Sequence, residues 1–155
     1  MESHEELFHT IAANVCNKPQ SLTAEVCFAQ TTNCMCRDHG RCRLHEKTLE
    51  QLKYVQQSIM QSIFLRACPG SGKTEVVGLK AAHEIKSWPY PSRGIAVLTF
   101  TNNAANEIAE RITQFAGVNG TAYPHFVGTI DSWFHGYVAN PFAHMRTKFP
   151  GKDGD

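Results

Sequence analysis

The densest chemistry in the chain lies in Ala67-Cys68-Pro69-Gly70-Ser71-Gly72-Lys73-Thr74. The spacing follows G-x-x-x-x-G-K-[ST], with the small residue Ala67 at the first position. Glycines at 70 and 72 let the backbone curl until successive N–H groups point inward, and a helix beginning near Lys73 adds the positive end of its dipole. Such a loop is built to hold phosphate oxygens. Lys73 has the reach to meet the β- and γ-phosphates of a nucleotide, and the Thr74 hydroxyl is a ligand for Mg²⁺. The candidate nucleotide-contacting residues are Ala67, Pro69, Gly70, Ser71, Gly72, Lys73, Thr74 and Glu75, of which Lys73 and Thr74 would act in catalysis.

A loop of this kind needs a strand entering it and a helix leaving it. "SIFLRA" ahead of the loop reads as a short buried strand, and Leu49, Leu52, Val55 and Ile59 before it recur at helical spacing. After the loop, Val77, Ala81, Ala82 and Ile85 share one helix face, and the helix must stop near Trp88-Pro89. "GIAVLTFT" (94–101) is a near-continuous apolar run of the kind a parallel strand covered on both faces shows. A second helix follows, with Ala104, Ala105, Ile108, Ala109, Ile112 and Phe115 on its buried stripe. "HFVGTI" is a further strand, and Asp131 or Ser132 would cap a helix through Trp133, Phe134 and Val138. Alternating strands and helices imply an α/β fold around a parallel sheet.

The bulk properties set limits. A chain of 155 residues is about one domain, and a net charge of +1 leaves no electrostatic footprint for nucleic acid. No apolar run reaches the ~18 residues of a membrane span, and the first residues lack the pattern of a secretory signal. The expectation is an intracellular, cytoplasmic protein with no membrane partner. Residues 1–46 form a Cys/His-rich arm, in which "EELFHTIAANV" makes a short amphipathic helix through Leu7, Ile11 and Val15 but little core. Residues 47–145 form the nucleotide-binding unit, and 146–155 a frayed or cut tail. Within the arm, Cys34, Cys36, Cys42 and His45 supply four S/N donors, a candidate Zn²⁺ set against free thiols as the alternative. Arg37, Arg41, Arg43 and Lys47 beside them read as a solvated basic face.

Three segments besides the loop, "TLEQLKYVQ", "LTFTNNAANEIAERI" and "VGTIDSWFHGYV", resemble in order the first motifs of the UvrD/Rep-like helicases of superfamily one. The resemblance spans residues 48 to about 138. In that family the loop reads A-x-A-G-S-G-K-T, so Ala67 is expected and Pro69 is the departure. The resemblance implies that Gln51, twenty-two positions ahead of Lys73, reads the adenine edge. Thr48 and Gln51 also satisfy the capping box S/T-x-x-E/Q, a competing use of the same amide.

The second segment matches the family's T-F-T-N-K-A-A-x-E-M-x-x-R at Phe100, Thr101, Asn102, Ala104, Ala105, Glu107 and Arg111, with Asn103 in place of the lysine. The third matches G-T-[FI]-H-S-F at Gly128, Thr129 and Ser132, with Asp131 in place of the histidine. Both elements contact DNA in the family, which implies a single-stranded DNA surface from Thr101, Asn102, Asn103, Thr129, Asp131, Ser132 and Trp133. Trp133, Phe134 and Tyr137 would either stack on bases or fill the core.

The resemblance thus implies a partial RecA-like phosphate-loop NTPase lobe that binds ATP and Mg²⁺ and, joined to the remaining helicase domains, moves along single-stranded DNA. Hydrolysis also needs an acidic residue to hold Mg²⁺, a group that orients water and an arginine finger. No Asp-Glu pair follows the loop, so the chain is expected to be a helicase fragment that binds ATP without turnover. The alternatives are a non-catalytic nucleotide- or zinc-binding interaction module and a small phosphate-loop kinase. The kinase is disfavoured because no arginine-rich lid segment is present.

Overall fold

The computed structural model describes residues 2–16, 37–38, 41–117 and 122–147. In chain order the elements are α1 (His4–Val15), β1 (Arg37–Asp38), β2 (Arg41–Cys42), α2 (Leu49–Gln56), α3 (Lys73–Lys86), β3 (Ala96–Thr99), α4 (Asn102–Ala116) and β4 (Phe126–Thr129). A helical segment follows, made of α5 (Ile130–Phe134), a π-helical turn (His135–Ala139) and α6 (Asn140–Thr147). Among the described residues no helix is long and apolar enough to cross a membrane.

Strands β3 and β4 pair in parallel with α4 between them, in a register that sets Ala96 opposite Phe126 and Thr99 opposite Thr129. The fold is thus mixed helix and strand with a parallel pair, as the alternating pattern predicts. The apolar run at 94–101 is not covered on both faces, however. Val97 and Thr99 are half-buried while Ala96 and Leu98 are exposed, so only one face of the pair packs on the core. "SIFLRA" also departs from expectation. It joins no ladder among the described strands, and Phe64 is 86% exposed. A strand is held by its neighbour's N–H and C=O groups, and among the described strands β3 pairs with β4 alone.

The core is helical on one side of the sheet. Leu7, Ile11 and Val15 of α1, Leu52 and Val55 of α2, Val76, Leu79 and Ala82 of α3, and Ile108, Ile112 and Phe115 of α4 form one buried cluster. Helix α1 is therefore no appendage. Its apolar stripe needs cover, and it obtains it by packing on α2 and α3. Helix α3 is enclosed by α1, α2 and α4, which shifts its deepest residues to Val76, Leu79 and Ala82 and leaves Val77 and Ile85 half-buried.

Polar residues lock these helices together. Lys80 is 6% exposed, donates to the carbonyls of Val55, at 3.0 Å, and Gln57 at the end of α2, and pairs with Glu84. It thereby satisfies helix-end carbonyls that would otherwise be orphaned. Arg43 and Lys47 are not a solvated basic face. Lys47 Nζ lies 2.6 Å and Arg43 3.3 Å from the Glu75 carboxylate, and Arg43 also donates to Gln114 at 2.8 Å.

Helix starts follow side-chain caps. Ser3, Thr48, Thr101 and Thr129 accept from the first turns of α1, α2, α4 and α5. The last differs from the Asp131 or Ser132 cap that the sequence suggests. The β-branched Thr129 ends β4 in extended backbone, so its hydroxyl is the one placed to accept from Ser132 N–H.

Candidate nucleotide-binding site

The 67–74 loop turns on two glycines in left-handed backbone, Gly70 at φ 75° and Gly72 at φ 74°. Gly72 is the N-cap of α3 and brings no side chain, so α3 begins without the Ser or Thr acceptor found at α1, α2, α4 and α5. Its first-turn N–H groups are left to meet an external acceptor. Lys73 folds back over the loop, donating to the carbonyls of Ala67 at 2.9 Å and Cys68 at 2.6 Å. Ser71 Oγ donates to the same Cys68 carbonyl at 2.7 Å, which braces the turn. Pro69, Gly70, Ser71 and Gly72 are exposed, and Thr74 is half-buried one residue into the helix.

Gln51 joins the loop to α2. Its Oε1 accepts from Thr48 N–H at 2.9 Å, completing the capping box, while its Nε2 donates to the Ser71 carbonyl at 3.3 Å. The two halves of one amide thus serve two elements. Between them lies a cleft of about 250 Å³, lined by Thr48, Glu50, Gln51, Leu65, Arg66, Ala67, Ser71, Lys73 and Val76. That is below the roughly 300–1,000 Å³ of a site enclosing a drug-sized ligand, and its wall includes Ala67, Ser71 and Lys73 of the glycine loop. Glu50, Leu65, Arg66 and Val76 line the cleft without being marked by the motif spacing. The one sequence signal for Arg66 is its place directly before Ala67, within the apolar segment that predicts a strand.

Glu75 is not among the residues lining this cleft and pairs with Lys47 and Arg43. Burial pushes its carboxyl pKa up, but Lys47 and Arg43 outweigh that and hold it below the ordinary value. The carboxylate is committed to tying the turn after β2 to α3.

The two segments matched to DNA-contacting motifs meet at one end of the sheet. Thr99 and Thr129 are register partners, so the chain leaves both strands side by side and enters α4 and α5 there. Thr101, Asn102 and Asn103 are exposed on one exit, as are Asp131 and Ser132 on the other. Thr129 itself is buried and occupied with Ser132, its Oγ1 lying 2.8 Å from Ser132 Oγ. Phe100 projects between β3 and α4 at 92% exposure. Trp133 is half-buried and stacked on Tyr137, ring centroids 5.9 Å apart, while Phe134 and Tyr137 are exposed. None of these three aromatics fills the core. Asp131 is paired with His135 at 3.5 Å across one helical turn.

The four-donor zinc set is not assembled among the described residues. Cys34 and Cys36 lie outside them, and Cys42 is 6% exposed within the apolar core, where a thiol packs as a small hydrophobe. His45 is turned instead toward Glu5, its Nε2 3.5 Å from the carboxylate.

The sequence is 52% identical over 48 residues to the ATP-dependent DNA helicase Rep of Escherichia coli, which covers 31% of this chain and 7% of that protein. It is 32% identical over 96 residues to the ATP-dependent DNA helicase srs2 of Schizosaccharomyces pombe, covering 62% of this chain and 11% of that one. A putative ATP-dependent DNA helicase of Bacillus subtilis, YjcD, is 34% identical over 87 residues, covering 56% of this chain and 11% of its own length. The chain thus spans about a tenth of the length of these relatives. No solved structure matches it significantly. The UvrD/REP helicase N-terminal domain matches residues 48–148, which include the glycine loop, Gln51 and both sheet-end segments, and the chain belongs to that family.

Proposed function

We propose that this chain is the ATP-binding part of a UvrD-like DNA helicase, holding Mg²⁺ and ATP at the 67–74 loop within a RecA-like lobe. The observation that carries the reading is the start of α3. Its left-handed glycine leaves the helix N-terminus uncapped, and Lys73 lies across the loop that precedes it. A triphosphate fits that chemistry, because inward N–H groups and an ammonium are donors in need of anionic oxygens. Lys73 would exchange its two loop carbonyls for phosphate oxygens, and Thr74 would offer its hydroxyl to Mg²⁺. Gln51 stands at the cleft, where the base would lie against Leu65 and Val76. Bound ATP would supply the phosphoanhydride whose hydrolysis powers translocation in the intact protein. The residues of this chain bind and orient it.

Turnover by the chain alone is not expected. Glu75, next to the loop, is bound to Lys47 and Arg43, and the carboxylate lining the cleft is Glu50, on the exposed first turn of α2. Neither belongs to an Asp-Glu pair following the loop, the pair that would hold Mg²⁺ and orient water. The exposed residues Thr101, Asn102, Asn103, Asp131 and Ser132 at one sheet end, with Phe100 and Trp133 beside them, form the proposed single-stranded DNA surface. The exposed apolar side chains Phe64 and Leu98 would pack against the remaining helicase domains. Calorimetric titration with Mg·ATP, beside an ATP hydrolysis assay with and without single-stranded DNA, tests this. Binding without turnover is expected. Absence of binding would refute the site, and DNA-stimulated hydrolysis would refute the binding-only role.

A further inference from the structure

We propose a divalent transition-metal site formed by His4, Glu5 and His45, remote in sequence from the nucleotide loop. One ligand atom from each lies within 4.8 Å of the others, so one ion has two imidazoles and a carboxylate within reach. The fold brings these donors together from positions 41 residues apart in sequence. Helix α1 begins on His4, and the turn after β2 carries His45 back to that helix start. Buried Leu7 and Phe8 on one segment and buried Leu44 on the other anchor both in the common core.

The surroundings of each donor suit metal binding. His4 Nε2 lies 2.7 Å from the Lys47 carbonyl. A carbonyl only accepts, so Nε2 carries the proton and the lone pair sits on Nδ1. A carbonyl partner of this kind sets the tautomer of metal-binding imidazoles generally. The two rings meet edge to face with centroids 5.3 Å apart, and His45 is braced edge to face on Phe8 at 5.0 Å. Both Glu5 oxygens are placed, Oε2 at 3.5 Å from His45 Nε2 and Oε1 at 3.4 Å from His9 Nε2. Glu5 is exposed and both imidazoles are half-buried, which leaves an approach from solvent.

Two nitrogens and one carboxylate select a first-row transition ion over Mg²⁺ or Ca²⁺, which take oxygen ligands. The ion would clamp the start of α1 to the turn leading into Thr48 and α2.

Titration of the full 155-residue chain with Co²⁺, followed by visible absorption, tests the site. The expected spectrum has weak d–d bands without the intense sulfur-to-metal charge transfer of thiolate ligation. Affinity should fall by at least ~10-fold in His4→Ala, Glu5→Gln and His45→Gln, and stay unchanged in the double variant Cys34→Ser, Cys36→Ser. Far-ultraviolet circular dichroism checks that each variant keeps its helices. Exposed Glu5→Gln is the least disturbing, and in it Co²⁺ should no longer raise the thermal midpoint. Equal Co²⁺ affinity in wild type and folded Glu5→Gln, or a charge-transfer band that disappears with the cysteines, would overturn the proposal.

Discussion

The Gln51 side chain donates to the Ser71 carbonyl at 3.3 Å while accepting from the Thr48 amide at 2.9 Å. One amide therefore caps α2 and tethers the glycine loop. Replacing it with glutamate separates the two roles. A carboxylate still accepts from Thr48 N–H, but it cannot donate to Ser71. Gln51→Glu should keep its thermal midpoint and lose ATP affinity, whereas Gln51→Ala should lose both, with about 0.5–1.5 kcal/mol of stability gone with the reciprocal bond to Thr48 N–H. Parallel melting and ATP-binding curves for the two variants check this.

Helices α3 and α4 touch at Gly78. A Cβ there would lie 2.5 Å from Arg111 Cβ, far inside contact distance. Alanine ordinarily favours a helix by about 1 kcal/mol over glycine. Here overpacking of about 1–3 kcal/mol opposes that gain, so Gly78→Ala should lower the urea midpoint. A raised midpoint would mean that the helices separate at little cost.

Lys80 is the polar pin beneath α2. Lys80→Met keeps much of the volume but orphans the Val55 and Gln57 carbonyls and leaves Glu84 without its partner. A loss of about 3–5 kcal/mol is expected for breaking a buried pair from one side. Adding Glu84→Gln should restore part of it. Urea unfolding of the two single variants and the double variant gives the coupling directly.

Two histidines make the fold acid-sensitive. Burial holds the His83 pKa below its ordinary 6.5, with Glu84 opposing and Lys80 assisting, and burial does the same to His125. Each Nδ1 is a hydrogen-bond acceptor, from Asn14 at 2.8 Å and from Ile95 N–H at 3.2 Å. The unfolded chain protonates these rings at higher pH than the folded one. Their contribution is therefore complete above pH 6.5 and is lost as pH falls below it. Thermal midpoints between about pH 7.5 and pH ~5.5 should fall, and fall less in a His83→Gln variant.

The loop was legible in the sequence because phosphate chemistry fixes residue types at fixed spacings. Gly72 must turn left-handed, and Lys73 must follow it. The helices around it were legible because Leu52, Val55, Ile108 and Ile112 repeat at the helical period. What escaped the sequence depends on partners distant along the chain. Lys80 has the composition of a surface residue and becomes buried only because the end of α2 sits over it. Leu7, Ile11 and Val15 form a visible stripe, but nothing local says that it packs on α3. Conversely, the apolar 62–67 and 94–101 segments show what a strand would bury, while the structure leaves Phe64 and Leu98 uncovered. Hydrophobic pattern records a preference for cover without naming the neighbour that supplies it.

The central claim is that the 67–74 loop holds the phosphates of ATP, and the direct measurement is the Mg·ATP dissociation constant of the chain beside that of Lys73→Ala. Lys73 is half-buried and, among the described residues, its ammonium bonds to the loop carbonyls of Ala67 and Cys68, so its removal should leave the core and the thermal midpoint nearly unchanged. The expected result is an affinity lower by at least ~10-fold, in line with the loss of a charge-assisted contact worth about 1.5–3 kcal/mol. Equal affinity in the two proteins, with both folded, would contradict the account.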